Sequence, residues 1–334
     1  NIICRGEMFM LSWQAHSLGK AEEVVKQIEI PLPEPQENEA RIKVLATVLG
    51  LPDKMMLDGT YLIIKKLPIS FGQEIVGIVD KAGPGYPFKE GDRIIGGANF
   101  HVGLGGLAEY CISPGDSAIL APSTLSDDEA ASFLGSFHVA YVGLVNRAAL
   151  KSGETLLVLG GAGRTGSAAI QLGKALGATV IATARAKKQE EFCRAQGADY
   201  VFNPAEQGFD ETIARFTQGQ GVNVIYDTVG GDVYTNAVNN IALGGRVVLI
   251  GFASGTWGQP DPLHILAKGY SVTGALHTIR SEEERTESIK VLDNLVEKGE
   301  IKPPPTSVYA FDNAPDALGS LRKRQSELVI VRGT

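Results

Sequence analysis

An α/β chain is predicted, with a doubly wound parallel sheet in its second part and a smaller β-rich domain built mainly from its first. Three observations carry this. Residues 12–127 hold short β-like runs separated by turn signals. After residue 127 six apolar runs alternate with helical segments. One of those runs leads into a glycine-rich loop and then a helix.

The β-rich part contains runs at 24–30, 39–48, 74–81, 93–95, 108–112 and 118–120, which predicts a small barrel or sandwich. Pro31, Pro33 and Pro35 mark an extended connection, Gly83-Pro84-Gly85 a turn, and residues 103–106 a loop. Ser126-Asp-Asp-Glu129 has the spacing of a capping box, and the alanine-rich helix it opens changes the period from two to helical. The domain boundary is placed there. The next runs, 155–159, 179–183, 200–202, 222–226, 246–250 and 270–275, supply the six parallel strands. A charged amphipathic helix is expected over 281–298. Pro303-Pro-Pro305, a short segment at 308–311, an alanine-rich helix at 314–321 and a last strand at 328–331 are expected to return to the first domain. The predicted division is therefore 1–127 with 279–334, and 128–278.

The run Thr155–Leu159 is continuously apolar, as a strand buried on both faces requires. Gly161, Gly163 and Gly166 follow in the G-x-G-x-x-G spacing, and Ala168, Ala169, Ile170, Leu172 and Leu176 continue as a helix. With 40 glycines in 334 residues the spacing alone is weak, but the strand–loop–helix context turns it into a dinucleotide site. The turn lets backbone N–H groups approach a pyrophosphate at the helix N-terminus, where orphan amides and the macrodipole favour an anion. Arg164 and Thr165 lie within the same loop.

The second strand selects the cofactor. Thr183 ends it where a site reading a free ribose hydroxyl places Asp or Glu, yet Ala184-Arg185-Ala-Lys187-Lys188 follows. Arg185 offers a planar fork to a 2′-phosphate and Lys188 adds positive potential, so NADPH is expected over NADH. The competing reading is that these residues form only the solvated first turn of the next helix.

Composition limits the remaining classes. The hydrophobic fraction of 44% with 21% charged residues fits a soluble globular protein, and no run of eighteen apolar residues or secretory leader is visible. A cytoplasmic protein with no membrane partner is expected. Asn1 is not an initiator, and Met8 and Met10 are the candidate starts. A net charge of −7 opposes nonspecific nucleic-acid binding, which depends on neutralising phosphates. Cys4, Cys111 and Cys193 are odd in number and far apart, which argues against a disulfide framework.

Taken together, Ile30-Pro-Leu-Pro-Glu-Pro35, Asp58-Gly-Thr-Tyr61, Phe71-Gly-Gln-Glu-Ile-Val-Gly77, Gly91-Asp-Arg93, Gly106-Leu-Ala-Glu-Tyr110, the glycine loop, Asp227-Thr-Val-Gly-Gly231, Gly244-Gly-Arg246 and Gly251-Phe-Ala-Ser-Gly255 form one pattern. It resembles the medium-chain dehydrogenase/reductase superfamily and, within it, the zinc-free quinone oxidoreductases of the zeta-crystallin type, over nearly the whole chain. The resemblance implies a GroES-like catalytic domain made from both chain ends, a Rossmann domain binding NADPH, and a cleft between them. It also implies that Tyr61 lines the substrate cleft, its hydroxyl a donor to the acceptor oxygen, although a partly buried aromatic satisfying a turn is an equal reading. Ser136 is implied beside the nicotinamide, and Asn203, Thr228, Gly251, Phe252 and Ala253 facing the cofactor.

Zinc-dependent relatives carry a Cys near Ala46 or Thr47, a His in a Gly-His-Glu triplet, and a four-cysteine lobe. Here the triplet is Gly72-Gln73-Glu74 and the cysteines are missing, while His16, His101, His138, His264 and His277 show no i, i+4 pairing. No metal is expected. Three departures stand out: Gly50 where relatives carry Asn, Arg164 where they carry Gly, and Ser326-Glu327 where they carry Gly-Lys. The expected activity is NADPH-dependent, zinc-independent hydride transfer to quinones or other α,β-unsaturated carbonyl acceptors by a homodimer. The alternatives are an enoyl-thioester reductase of the same superfamily, and a crystallin-like or regulatory cofactor-binding protein with little turnover.

Overall fold

A computed structural model describes residues 8–61, 66–206, 208–278, 281–304, 306–322 and 328–334. The strands in chain order are β1 (Phe9–Ala15), β2 (Val25–Pro31), β3 (Glu39–Leu49), β4 (Ile69–Ser70), β5 (Glu74–Ala82), β6 (Arg93–Gly97), β7 (Tyr110–Pro114) and β8 (Ile119–Leu120). They are followed by β9 (Thr155–Leu159), β10 (Thr179–Thr183), β11 (Tyr200–Phe202), β12 (Val222–Asp227), β13 (Ile241–Leu249), β14 (Ser271–Gly274), β15 (Thr306–Tyr309) and β16 (Leu328–Arg332). Cys4, residues 279 and 280, Pro305 and Ser326-Glu327 lie outside the described residues.

Two compact units result. One comprises the chain up to Leu134 and the C-terminal segment after Pro304; the other runs from Gly135 to Pro304. In the first unit β15, β16, β3, β5, β6 and β8 are neighbours in that order and β7 pairs with β3, while β2, β1 and β4 form a separate three-stranded sheet. The C-terminal return is held by packing: Ala314, Ala317, Leu318, Val329 and Val331 join Ala15, Val25, Leu49 and Phe71 in one buried cluster. The Trp13 ring also meets Phe311 edge-on, with centroids 6.3 Å apart.

In the second unit β11-β10-β9-β12-β13-β14 form one parallel sheet, with the order reversing beside β9. Leu156, Leu157, Val158 and Leu159 are all fully buried, which is why the run carries no polar alternation. The crossover after β9 is the helix Arg164–Ala175, whose Ala168, Ala169, Ile170 and Leu172 are buried.

The compact units divide the chain at positions other than 127 and 279. The alanine-rich segment after the capping box of Ser126 is a single helical turn, Asp127–Ala130, followed by wide π-type turns at Leu134–His138 and Val142–Arg147. The boundary accordingly falls at residue 134. The helix Glu282–Glu297, predicted to start the return to the first unit, belongs to the second: its Ser288 and Leu292 are buried, Glu284 pairs with Arg147 at 3.1 Å, and Ser288 faces His138. Pairing register also moves several strands. The run predicted at 108–112 is β7, at 110–114, and the run at 246–250 is the end of a strand that begins at Ile241. β1 and β4 were not predicted.

Candidate active site

The glycine loop is built by packing from both neighbouring strand ends. Thr183, at the end of β10, accepts the Gly160 N–H on its hydroxyl (2.9 Å), and its carbonyl accepts the Gly161 N–H (3.1 Å). Thr228, just after β12, donates its hydroxyl to the Leu159 carbonyl at 2.8 Å. Thr183 and Thr228 thus hold the loop by their side chains. Gly160 has φ +74°, and a Cβ there would lie 2.6 Å from the Thr228 hydroxyl. At Gly161 a Cβ would come within 3.0 Å of Ala182, Cys193 and Ile170, and at Gly166 it would lie 2.3 Å from the Gly160 carbonyl oxygen.

Gly163 begins the helix in extended conformation, with no side chain capping it. Orphan N–H groups at such an end are donors for an anion, and the close-packed glycine cradle leaves room for a pyrophosphate backbone. The residues present therefore fit a dinucleotide. Arg164 and Thr165, both half-buried, form the first turn.

At the tip of β10, Arg185 is exposed and no described residue forms a hydrogen bond or ion pair with its guanidinium; its backbone N–H donates to Gln189 at 3.0 Å. Lys188 is also exposed, in the first turn of the helix Lys187–Ala195. Asn203 caps a local turn, accepting the Ala205 N–H and donating to Glu206. Gly251, Phe252 and Ala253 follow β13, where the Gly251 N–H reaches the Asp227 carbonyl and the Ala253 N–H that of Thr228. Phe252 stacks on Trp257 with centroids 4.5 Å apart. A cavity of about 370 Å³ lies at this edge, lined by Arg147, Leu249, Ile250, Trp257, Gly274 and Ala275. The glycine loop, Thr183, Thr228 and the 251–253 segment are thus brought together at the carboxyl edge of the sheet, the usual ligand edge of such folds.

Sequence reasoning did not single out Asp227. It is fully buried, and one carboxylate oxygen accepts the N–H groups of Val229 and Gly230 at 2.9 and 2.8 Å, fixing the turn after β12. Burial pushes its pKa up, and these two N–H donors oppose the shift. The signal was its place as the first residue of Asp227-Thr-Val-Gly-Gly231.

Ser136 is buried in the second unit, in the turn Leu134–His138. Tyr61 belongs to the first. Its ring packs on the cluster around Trp13 and Phe71, and its hydroxyl lies 3.5 Å from the Gln73 side-chain oxygen. Burial pushes the Tyr61 pKa up, the Gln73 contact opposes this, and the Asp53 charge adds to the rise, so the phenol stays protonated. Asp53 is a second residue that sequence reasoning passed over. It is buried and accepts the Gly50 N–H on one oxygen and the Gly72 N–H on the other, both at 2.9 Å.

The positions at which zinc-dependent relatives place ligands hold Thr47, whose hydroxyl donates to the Glu74 carbonyl, and Gln73. A hydroxyl and a carboxamide replace thiolate and imidazole donors at these two positions, and among the described residues no group of three or more His, Cys, Asp or Glu side chains is placed to hold a metal ion. Cys111 and Cys193 are buried with thiols pushed up to about 12, which removes them as nucleophiles.

A unit with a Rossmann sheet and a glycine cradle, and a second unit with a GroES-like β fold, define a two-domain nicotinamide-dinucleotide oxidoreductase. Residues 36–123 match the alcohol dehydrogenase GroES-like domain and residues 165–294 the zinc-binding dehydrogenase domain. The chain is 31% identical over 306 residues to quinone oxidoreductase-like protein 2 of Bos taurus, covering 90% of this chain and 86% of that one. It is 28% identical to the quinone oxidoreductase of Sus scrofa over 93% and 94% of the two chains. A mycobacterial structure solved with NADPH superposes with a TM-score of 0.86 at 27% identity, over 97% of this chain and 99% of that one. The chain belongs to the quinone oxidoreductase family of the medium-chain dehydrogenase/reductase superfamily.

Proposed function

We propose that the protein is an NADPH-dependent reductase of quinones or other α,β-unsaturated carbonyl compounds, working without zinc. The observation that carries the reading is the pairing of the glycine cradle with an exposed, unpartnered Arg185 at the tip of β10, where no carboxylate stands to repel a 2′-phosphate. The mycobacterial relative solved with NADPH and the quinone oxidoreductase relatives support it. When bound, NADPH supplies a hydride, and the acceptor takes that hydride and one solvent proton to become a hydroquinone or a saturated carbonyl compound.

The chain's own task is binding and orientation. The cradle and the helix start Arg164–Thr165–Gly166 would hold the pyrophosphate, Arg185 with Lys188 the 2′-phosphate, and the Gly251–Ala253 segment, Thr183, Asn203 and Thr228 would border the remainder. Ser136 in the second unit and Tyr61 in the first are the two hydroxyls proposed to take part in the reaction. No general-acid constellation is needed, because a reduced quinone oxygen takes its proton from water.

NADPH oxidation in the presence of a panel of quinones, enones and enoyl-CoAs tests the reading. Turnover with quinones or enones is expected, undiminished after dialysis against a chelator. Stoichiometric zinc in protein purified without added metal, with activity lost on its removal, would contradict the metal-free part; absence of turnover with every acceptor would contradict the whole.

The reading includes a homodimer in the cytoplasm. Leu243, Leu263 and Leu266 are 81%, 71% and 80% exposed, and the edge of β14 is unpaired among the described residues, which supports a second copy covering this face. The free thiols of Cys111 and Cys193 support a reducing compartment. Sedimentation should give a mass of about twice 35.5 kDa; a monomer at micromolar concentration would contradict it.

A further inference from the structure

The carboxamide nitrogen of Gln73 is one of the buried polar atoms of the first unit that the described residues leave without a partner. Its backbone is clamped on three sides. The Gly72 N–H donates to Asp53 at 2.9 Å, the Gln73 carbonyl accepts the Ala98 N–H at 2.9 Å, and the carbonyl of the following residue, Glu74, accepts the Thr47 hydroxyl at 2.8 Å. Gly72 has φ +78°, and a Cβ there would lie 2.5 Å from the Thr47 hydroxyl and 2.9 Å from the Leu107 nitrogen, so only glycine fits this turn. The fold therefore presents the Gln73 side chain from a fixed base.

On that base the amide oxygen faces the Tyr61 hydroxyl at 3.5 Å, while the amide nitrogen Nε2 is buried and no described group accepts from it. An amide nitrogen carries two donors, and leaving a buried donor unmet costs enough that native structures keep few of them. No acceptor among the described residues lies within hydrogen-bond reach of Nε2. A rigid, neutral, water-shielded N–H donor suits a neutral oxygen that gains negative charge during reaction. It would suit an ion poorly, because it brings no compensating charge.

We propose that Gln73 Nε2 is the donor that binds the carbonyl oxygen of the acceptor, and that Tyr61 is a positioning residue that holds the amide by its oxygen. This reverses the role expected of Tyr61, whose hydroxyl points to Gln73. It rests on the reductase reading and names the substrate's recognised feature: a neutral ketone or quinone oxygen. Hydride arrival at the conjugated system places charge on that oxygen; the Gln73 N–H stabilises it without losing its proton, and water supplies the proton that completes the product.

The test compares wild type with Gln73→Met, Gln73→Glu and Tyr61→Phe. Two readouts are used: kcat/KM for 1,4-benzoquinone at saturating NADPH, and the infrared carbonyl stretch of carbonyl-¹³C cyclohex-2-enone bound in the presence of NADP⁺. Gln73→Met should lower kcat/KM by about a hundredfold and abolish the low-frequency shift of the bound carbonyl, with NADPH affinity retained. Tyr61→Phe should keep the shift and lower kcat/KM less. A shift that persists in Gln73→Met overturns the assignment and leaves Nε2 serving a buried water only; so does a shift lost in Tyr61→Phe alone. If Gln73→Met melts early, Gln73→Glu, of the same length and shape, decides. The infrared readout needs no turnover. Wild-type protein that shifts the carbonyl but reduces no acceptor would sink the reductase reading and leave Gln73 as the oxygen's donor.

Discussion

Replacing Gly166 with alanine is expected to weaken NADPH binding by about a hundredfold or more and to lower thermal stability, whereas alanine at Gly163, three residues earlier, is expected to leave thermal stability nearly unchanged. Both glycines belong to the same motif, so the contrast isolates packing from pattern. The added Cβ at Gly166 would lie 2.3 Å from the Gly160 carbonyl oxygen and 3.0 Å from the Gly160 carbonyl carbon and the Gly161 Cα, all backbone atoms. Backbone cannot rotate away as a flexible side chain can, so the helix must back off the loop and the amides lose their aim at the pyrophosphate. Overpacking of this kind costs about 1–3 kcal/mol before any loss of ligand contacts. Gly163 sits at φ −79° with its nearest contact at 3.3 Å, which a shift of a few tenths of an ångström relieves. Cofactor titration by fluorescence and a thermal melt on both variants measure this. Equal losses of thermal stability at the two positions would mean that the loop is read for flexibility and not for fit.

Arg185→Ala is expected to reduce NADPH affinity by about tenfold to a hundredfold and to leave NADH affinity unchanged. The side chain is exposed and no described group engages it, so its removal has no structural partner to disturb. The extra phosphate is the one feature that separates the two cofactors, and a charge-assisted contact at an exposed site is screened by salt. The preference for NADPH should therefore narrow as ionic strength rises from about 0.05 M to about 0.5 M, over which the screening length falls several-fold. Calorimetric titration of both cofactors with both proteins decides it. An unchanged NADPH affinity in Arg185→Ala would reduce Arg185 to the solvated helix start that competed with this assignment.

Much of the second unit was legible because its signals are local. A strand buried on both faces must be continuously apolar, a crossover helix must alternate at its own period, and a turn that passes close to phosphate excludes side chains; Thr155–Leu159, Ala168–Leu172 and the three glycines write these needs directly into the chain. The differences in boundary have the opposite origin. Whether the helix Glu282–Glu297 packs with one unit or the other depends on Ser288, Leu292 and the Glu284–Arg147 pair finding partners about 140 residues away, and periodicity carries no address. β1 was missed although its run Phe9–Ala15 alternates in burial, because polar Ser12 and Gln14 are buried by long-range contacts, Gln14 donating to the Gly103 carbonyl.

The candidate site divides the same way. By itself the sequence determined a dinucleotide cradle, a basic tip after β10, and the replacement of metal-binding residue types near 46 or 47 and at 73, since each is a matter of which side chain stands at a position. Only the tertiary structure decided what those side chains do. It turned Thr183 and Thr228 into supports of the glycine loop, buried Asp227 under two backbone donors, gave Asp53 the Gly50 and Gly72 amides, and set the Tyr61 hydroxyl against the Gln73 amide. The reason is physical: a residue's type fixes how many donors and acceptors it brings, but whether they are spent on the fold or remain for a ligand depends on neighbours that folding brings from distant parts of the chain.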